Sequence, residues 1–436
     1  MNTLSKQDIR VAILNAFTPN LDIRDPSTFA GRKSLILRLA DSLVEDGSCP
    51  VIYGQQGLGK TSLAMQIIRI ALGDVELLEN LEASDRIIRP DRAFEVLYIA
   101  CPEDTQSKDD ILRRLMEEAT VYDETSFVEK DRTHSVALKF GPIEGRSSWT
   151  YNRSLSQSSD DRTVEEQFFA FIDHLVSKSK RRILCVVDEF DRVKNRKGMA
   201  GFLKNIADIN VKFLLIGVAT DVSSLLADHR SIERKLNPVH VQEMEEYELE
   251  EIVSLVVRRT TDMGVPINFN DSARKYLAEA AHGLPWYVHA VGQESLRIAW
   301  DSGYTSVMKW DVESGEHKLA RDQLKEQFYG LYRAIIGRSQ NRERVLRLVS
   351  KFRDERVPLA EIHKTARSFG ITQPSTYIAS LCEGERALVK SGSGLGATVS
   401  FRNAIFKRYV HLCEPVFTDS RDIDINWLRT YDPERL

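Results

Sequence analysis

Eight residues, Gly54-Gln55-Gln56-Gly57-Leu58-Gly59-Lys60-Thr61, have the spacing G-x-x-x-x-G-K-T and are followed by Ser62. An apolar strand, Pro50 to Tyr53, leads into them, and an apolar helix, Leu63 to Leu72, leads out. That context suits a loop whose backbone N–H groups turn toward one point, where a helix N-terminus adds positive potential for a phosphate chain. In it, Gly54 to Ser62 would cradle the phosphates, Lys60 would reach the β- and γ-phosphates, and the Thr61 hydroxyl would ligate Mg²⁺. A second run, Ile183-Leu184-Cys185-Val186-Val187-Asp188-Glu189, reads as a buried strand ending in two acids. This is the Walker B arrangement: Asp188 would serve the Mg²⁺ shell and Glu189 would polarise the attacking water. ATP and Mg²⁺ are therefore the ligands expected, and ATP hydrolysis is the expected reaction.

Two further positions bear on the γ-phosphate. Phe213 to Asp221 is another buried strand with a polar exit, and Thr220 sits where its hydroxyl could meet the γ-phosphate or the attacking water. Capping of the next helix by Thr220 or Asp221 is the alternative. In Asp228 to Lys235, Arg230 and Arg234 precede the last strand, where an arginine could reach the nucleotide of a neighbouring subunit. Ion pairing with Glu233 is the plainer use of either.

Positioning these groups requires a parallel sheet with helices on both faces. The expected strands are Cys49–Tyr53, Val96–Cys101, Ile183–Val187, Phe213–Val218 and Val239–Val241. The expected helices are Lys60–Leu72, Asp109–Ala119, Val164–Ser177 and Met199–Asp208. From Tyr247 to about Ile336 the pattern is wholly helical, with helices at Leu249–Arg258, Asp271–Ala281, Tyr287–Trp300 and Asp311–Leu331. Beyond Arg342, three helices and two strands flanking a glycine-rich tip (Ser391 to Gly396) follow the winged-helix plan. The fold class is thus α/β, a P-loop NTPase followed by an α-helical lid domain and a winged-helix domain. The expected boundaries are 1–245, 246–336 and 337–418, with a tail at 419–436. A polar, serine-rich insert at about 121–162 reads as a β-hairpin around Ser135–Phe140 or as a surface loop.

Composition is that of an ordinary globular chain: 436 residues, 42% hydrophobic, 28% charged, net charge −4. No window approaches the roughly 18 apolar residues of a membrane span, and the N-terminus shows no apolar signal region. The five cysteines (Cys49, Cys101, Cys185, Cys382, Cys413) include no C-x-x-C, so buried, reduced thiols and a cytoplasmic location are expected. The nine histidines have no ligand spacing, and no structural metal is expected. Charge is unevenly distributed. Residues 337–418 hold 14 Lys and Arg against 7 Asp and Glu, a net of +7, which leaves −11 for the rest. A basic terminal domain on an acidic body is the footprint of a double-stranded DNA contact. The helix opening at Pro374 carries no Arg or Lys, only Gln373, Ser375, Thr376 and Tyr377 near its start. Phosphate contacts from Arg367, Lys390 or Arg402 would then supply affinity with little sequence information. Packing of the winged helix on the ATPase, with a protein partner as the output, is the competing use.

These motifs resemble those of AAA+/STAND-type P-loop ATPases, nearest the bacterial and archaeal relatives of origin-recognition initiators. The matching residues are Phe29-Ala30-Gly31-Arg32, Gly54 to Thr61, Asp188-Glu189, Ile216 to Asp221, Ser231 to Arg234 and Gly283-Leu284-Pro285. They span about residues 20 to 415. The resemblance implies that Arg32 lies near the nucleotide, that Pro285 contacts its base side, and that the chain is an oligomerising switch acting on DNA. Two departures stand out. Thr220 occupies a position where the family usually has Asn, and Trp286 follows the G-x-P where a basic residue is common. Both weaken γ-phosphate sensing and point to slow hydrolysis or switch-like binding.

Overall fold

The computed structural model describes residues 5–117, 119–122, 162–206, 210–226, 232, 234–265, 267–383 and 387–417. The β-hairpin expected at 135–140 lies outside these residues, as do Arg230, Ser231, Glu233 and the tail. By its contacts the chain divides into two units. One comprises Leu21–Gly54 and Gly59–Gln242; the other comprises Met1–Asn20, Gln55–Leu58 and Glu243–Leu436.

The first unit is built on a six-stranded sheet: β1 Cys49–Gly54, β2 Phe94–Ala100, β3 Thr120–Tyr122, β4 Arg182–Asp188, β5 Val211–Val218 and β6 Leu236–His240. Their order is β3-β2-β4-β5-β1-β6. Five strands run parallel, and β3 closes the edge antiparallel to β2, so the sheet is mixed where the sequence pattern implies an all-parallel one. The central strands read Val-Ile-Tyr, Val-Leu-Tyr-Ile, Ile-Leu-Cys-Val-Val and Phe-Leu-Leu-Ile-Gly-Val because both faces are covered, which removes polar alternation.

In chain order the helices of this unit are α2 Lys33–Val44, α3 Lys60–Ala71, α4 Glu76–Asn80, α5 Lys108–Glu117, α6 Val164–Ser179, α7 Met199–Ile206 and α8 Val222–Leu225. Helix α6 starts at a reciprocal cap: the Thr163 hydroxyl takes the Glu166 N–H while the Glu166 carboxylate takes the Thr163 N–H. Its buried face carries Phe168, Phe171, Ile172 and Leu175 into a core that Phe202 and Phe213 share. Cys49, Cys101 and Cys185 are buried free thiols, and Cys382 and Cys413 of the other unit are half-buried.

The second unit begins with α1 Lys6–Leu14. Arg259 ties the segment after α1 down, donating from Nη2 to the carbonyls of Asn15 (2.8 Å) and Ala16 (2.9 Å). The unit's next helices are α9 Glu246–Asp262, α10 Asp271–Ala281, α11 Pro285–Asp301, α12 Lys309–Lys318 and α13 Lys325–Ile336. The long helix expected at Asp311–Leu331 is interrupted: α12 runs through a π-helical stretch, Leu319–Leu324, into α13. This region also carries a short parallel strand pair, β7 Asn268–Phe269 with β8 Ser306–Val307, in place of a purely helical pattern. Two residues per strand are too few to show a period of two.

The remainder consists of α14 Gln340–Lys351, β9 Val357–Pro358, α15 Leu359–Ser368, α16 Pro374–Cys382, β10 Leu388–Ser391, β11 Thr398–Phe401 and α17 Ala404–Leu412. Pro374 opens α16 at the first helical position, where its missing N–H costs nothing. The strands form an antiparallel sheet in the order β10-β11-β9, and β9 and α17 are additional to the three helices and two strands expected beyond Arg342. Gln55–Leu58 group with this unit. Gln55 Nε2 donates to Glu355 Oε1 at 3.1 Å, and Asn403 Nδ2 donates to Gln56 Oε1 at 2.8 Å. Among the described residues, no helix is long and apolar enough to cross a membrane.

Candidate ATP site

Strand β1 must hand the chain to α3 through a turn with no room for side chains at its start. At Gly54 (φ +151°) a Cβ would lie 2.4 Å from the Val241 carbonyl oxygen, so only glycine fits. Gly59 caps α3 with φ +83°, a left-handed conformation that costs glycine nothing and any other residue a Cβ clash. Lys60 and Thr61 are thereby the first two helical residues, where backbone N–H groups lack intrahelical acceptors. The Ser62 hydroxyl accepts the Ile23 N–H at 3.0 Å, and Gln66 Nε2 donates to the Ile23 carbonyl at 2.8 Å. Helix α3 therefore also fixes the segment leading to Phe29-Ala30-Gly31-Arg32. Arg32 itself caps α2 in a left-handed conformation (φ +60°) and is buried.

Asp188 ends β4 and is 4% exposed. Three donors converge on it. Thr61 Oγ1 lies 2.9 Å from Oδ2, the Tyr98 hydroxyl lies 3.1 Å from the same oxygen, and the Glu189 N–H lies 2.7 Å from Oδ1. The sheet order puts β5 between β1 and β4, so Thr61 reaches Asp188 from the start of α3 rather than from a neighbouring strand. Burial raises the Asp188 carboxyl above the usual carboxylate range, opposed by those three donors and then by Lys60. Lys60, 9% exposed, is pushed down to about 8 by burial, against the pull of Asp188 and Asp191. A lysine desolvated beside two carboxylates is placed to meet a polyanion, whose arrival would favour its charged form further.

Glu189 adopts a left-handed backbone (φ +54°), which turns it out of the strand direction. Its side chain is 40% exposed and its Oε1 lies 2.8 Å from Arg192 Nη2. Burial raises its carboxyl, Arg192 lowers it, and Asp188 and Asp191 add to the rise. Asp191 accepts the Val218 N–H on Oδ1 at 2.7 Å and so pins the end of β5 to the turn after β4. Thr220 follows β5, but its hydroxyl lies 3.4 Å from Asp221 Oδ2, and Asp221 caps α8 by accepting the Ser224 N–H at 2.8 Å. Arg234 is exposed in the turn before β6. Pro285 is the first residue of α11, in the other unit.

The structure thus gathers Lys60, Thr61, Asp188 and Glu189 at one corner. Tyr98, Asp191 and Arg192 belong there too and are missed by reading the motifs. Asp191 and Arg192 leave a signal, an acid and a base just past Asp188-Glu189-Phe190, whereas the Tyr98 hydroxyl inside Val96-Leu97-Tyr98-Ile99 gives no sign of what it meets.

Residues 44–226 match the family model of the AAA domain. That stretch is similar to an AAA domain. It contains the strand, loop and helix that hold Lys60, and the strand that ends at Asp188. No curated protein sequence matches the chain. Among solved structures, the Walker-type ATPase PABY2304 of Pyrococcus abyssi is similar over 90% of this chain and 98% of its own, at 14% identity and a TM-score of 0.50. The likeness is one of fold, an AAA-type P-loop architecture continued by a helical C-terminal region. The Aeropyrum pernix ORC1 protein in complex with DNA is similar over 87% of this chain and 92% of its own, at 14% identity and a TM-score of 0.42. For Drosophila ORC bound to DNA the figures are 94%, 94%, 14% and 0.41.

Proposed function

We propose that this protein binds ATP with Mg²⁺ in its AAA domain, hydrolyses it slowly, and couples the nucleotide state to self-association and to a contact with double-stranded DNA. The observation that carries the nucleotide reading is the convergence of Lys60, Thr61 and Asp188. A hydroxyl and a buried carboxylate 2.9 Å apart are hard oxygen donors of the kind Mg²⁺ takes. Thr61 and Asp188 would hold the ion, which when bound neutralises charge on the phosphates.

The rest follows from the chain's own groups. Lys60 meets the β- and γ-phosphates, and the backbone of Gly54, Gln55, Gln56, Gly57, Leu58 and Gly59, with Ser62, surrounds them. Arg32 lies on the nucleotide side. Glu189, turned out of β4, orients the attacking water once Arg192 yields it. Thr220 contributes at the γ-phosphate, and Arg234 completes the site of a neighbouring copy. In this scheme the lid is 246–336 and the winged helix 337–418.

The DNA contact rests on where the basic residues of 337–418 are exposed. Arg367, Lys390 and Arg402 all face solvent. Burial, then the charges of Arg367 and Lys390, push the His363 imidazole below its ordinary value, so both cations lie near His363. The Ser375 hydroxyl is 3.2 Å from His363 Nε2, which brings the first turn of α16 to the same place. Exposed cations around a helix start that offers Gln373, Ser375 and Thr376 suit phosphate contact with light base readout.

Steady-state ATP hydrolysis by the wild type and Glu189→Gln, with and without duplex DNA at low salt, tests the proposal. The expected result is slow turnover, stimulated by DNA and lost in Glu189→Gln. Turnover that survives Glu189→Gln, or that ignores DNA, overturns the corresponding half.

A further inference from the structure

Asp188 is over-supplied with donors for a carboxylate whose only need is to be satisfied. Its Oδ1 takes the Glu189 N–H, and its Oδ2 takes both the Thr61 and the Tyr98 hydroxyls. Of about four acceptor positions on an ionised carboxylate, three are filled. The Thr61 bond alone would satisfy Oδ2. Tyr98 is only half-buried, so burial does not force its hydroxyl onto a protein partner.

The sheet explains how Tyr98 gets there. In the parallel pairing of β2 with β4, Tyr98 lies opposite Val186, and Asp188 is two residues farther along β4. Residues two apart share a face, so Tyr98, Val186 and Asp188 point to one side of the sheet. The phenol is long enough to run along the strand and place its oxygen 3.1 Å from Asp188 Oδ2. Strand β2 lies between β3 and β4 and is paired on both edges, which makes it a firm base for an orienting group. Thr61 is differently placed. Its hydroxyl has one hydrogen and two lone pairs, and the lone pairs are what a cation would use.

We propose that Tyr98 is a positioning residue for the divalent-cation site, holding Oδ2 of Asp188 so that the carboxylate keeps one orientation toward the ion that Thr61 and Asp188 share. This rests on the Mg²⁺–ATP reading above and adds to it the group that tunes the cation's affinity. Outer-shell partners of this kind change metal affinity by about 10- to 100-fold when removed.

Tyr98→Phe keeps the ring and deletes the donor. Binding of a fluorescent ATP analogue is followed in EDTA and across a Mg²⁺ titration, for the wild type, Tyr98→Phe and Thr61→Ala. The expected result is a Mg²⁺ midpoint raised about tenfold in Tyr98→Phe, with affinity in EDTA and ligand-free melting unchanged. A general loosening of the fold would weaken both arms together and leave the midpoint in place. A Tyr98→Phe midpoint equal to the wild type's, while Thr61→Ala shifts, overturns this inference and leaves the nucleotide reading standing. Wild-type binding that is indifferent to Mg²⁺ overturns the reading, and the inference with it.

Discussion

Both units bury charge, and they use it differently. In the unit built on the six-stranded sheet, Lys60, Thr61, Tyr98 and Asp188 come from a helix start, from within β2 and from the end of β4, and meet at one corner. In the helical unit, buried charges secure the chain itself. Glu343 accepts the Tyr332 hydroxyl at 2.7 Å and the Val416 N–H at 2.6 Å, while Arg347, one turn on, donates to the Cys413 carbonyl at 2.7 Å. Together they strap the chain after α17 onto α14. Glu316 takes the hydroxyls of Tyr276 and Tyr287, and the Arg408 guanidinium lies over the Tyr287 ring. Burial raises the Tyr287 and Tyr332 hydroxyls of the helical unit just as it raises Asp188, so a perturbed group by itself does not mark a site. The partners distinguish the two. Buried charges that hold the backbone of a following segment, as Glu343 and Arg347 do, indicate a structural role, whereas a hydroxyl, a carboxylate and a lysine gathered at a helix N-terminus indicate a ligand.

Lys60→Ala should break the comparison most sharply. Nucleotide affinity is expected to fall 100-fold or more, about 2.7 kcal/mol, with the melting temperature in EDTA held or raised because a desolvated ammonium is gone. Unchanged affinity in a fluorescent-nucleotide titration would refute the site. The next effect belongs to the helical unit and is set by pH. Burial, then the charges of Arg408, Lys407, Arg353 and Lys351, hold His282 well below the usual imidazole range. Burial, then Arg408, Lys351 and His282, does the same for His411, with the Ser350 carbonyl opposing. The unfolded chain binds protons at these histidines near pH 6.5, where the folded chain does not. Their stability contribution is therefore intact above about pH 6.5 and is lost as the pH falls below it. The loss is about 1.4 kcal/mol per histidine at the first unit below that value. Urea unfolding at pH 7.5 and 5.5 measures it, and His411→Gln should remove one histidine's share of the slope.

What is legible in the sequence divides along the same line. The strands and the corner of Lys60, Thr61 and Asp188 can be read because long apolar runs end in polar residues at fixed spacing. Tyr98 cannot, because its role depends on the register between β2 and β4, which no local pattern encodes. Nor can the use of the basic charge in 337–418. Arg347, Lys351, Lys407 and Arg408 count toward its net of +7 yet are all buried. A composition count cannot separate a cation that faces solvent from one that binds a carbonyl. The β7–β8 pair and the π-helical interruption after α12 are likewise invisible, the first too short for a period and the second a local departure from one.

Two smaller predictions sharpen that last distinction within one charge class. Arg347→Met removes the bond to the Cys413 carbonyl and should cost about 2 kcal/mol of stability in urea unfolding. It should leave DNA affinity untouched, since Arg347 is buried. Lys390→Ala combined with Arg402→Ala should do the reverse. Both side chains are exposed, so stability should change by less than about 0.5 kcal/mol. Duplex affinity at low salt should fall about tenfold, and the log–log dependence on salt should flatten by about 2, one for each phosphate no longer neutralised. A fluorescence-anisotropy titration at several salt concentrations measures both quantities. An unchanged slope would mean that these cations do not lie on the phosphates, and that the excess basic charge of this segment serves the fold.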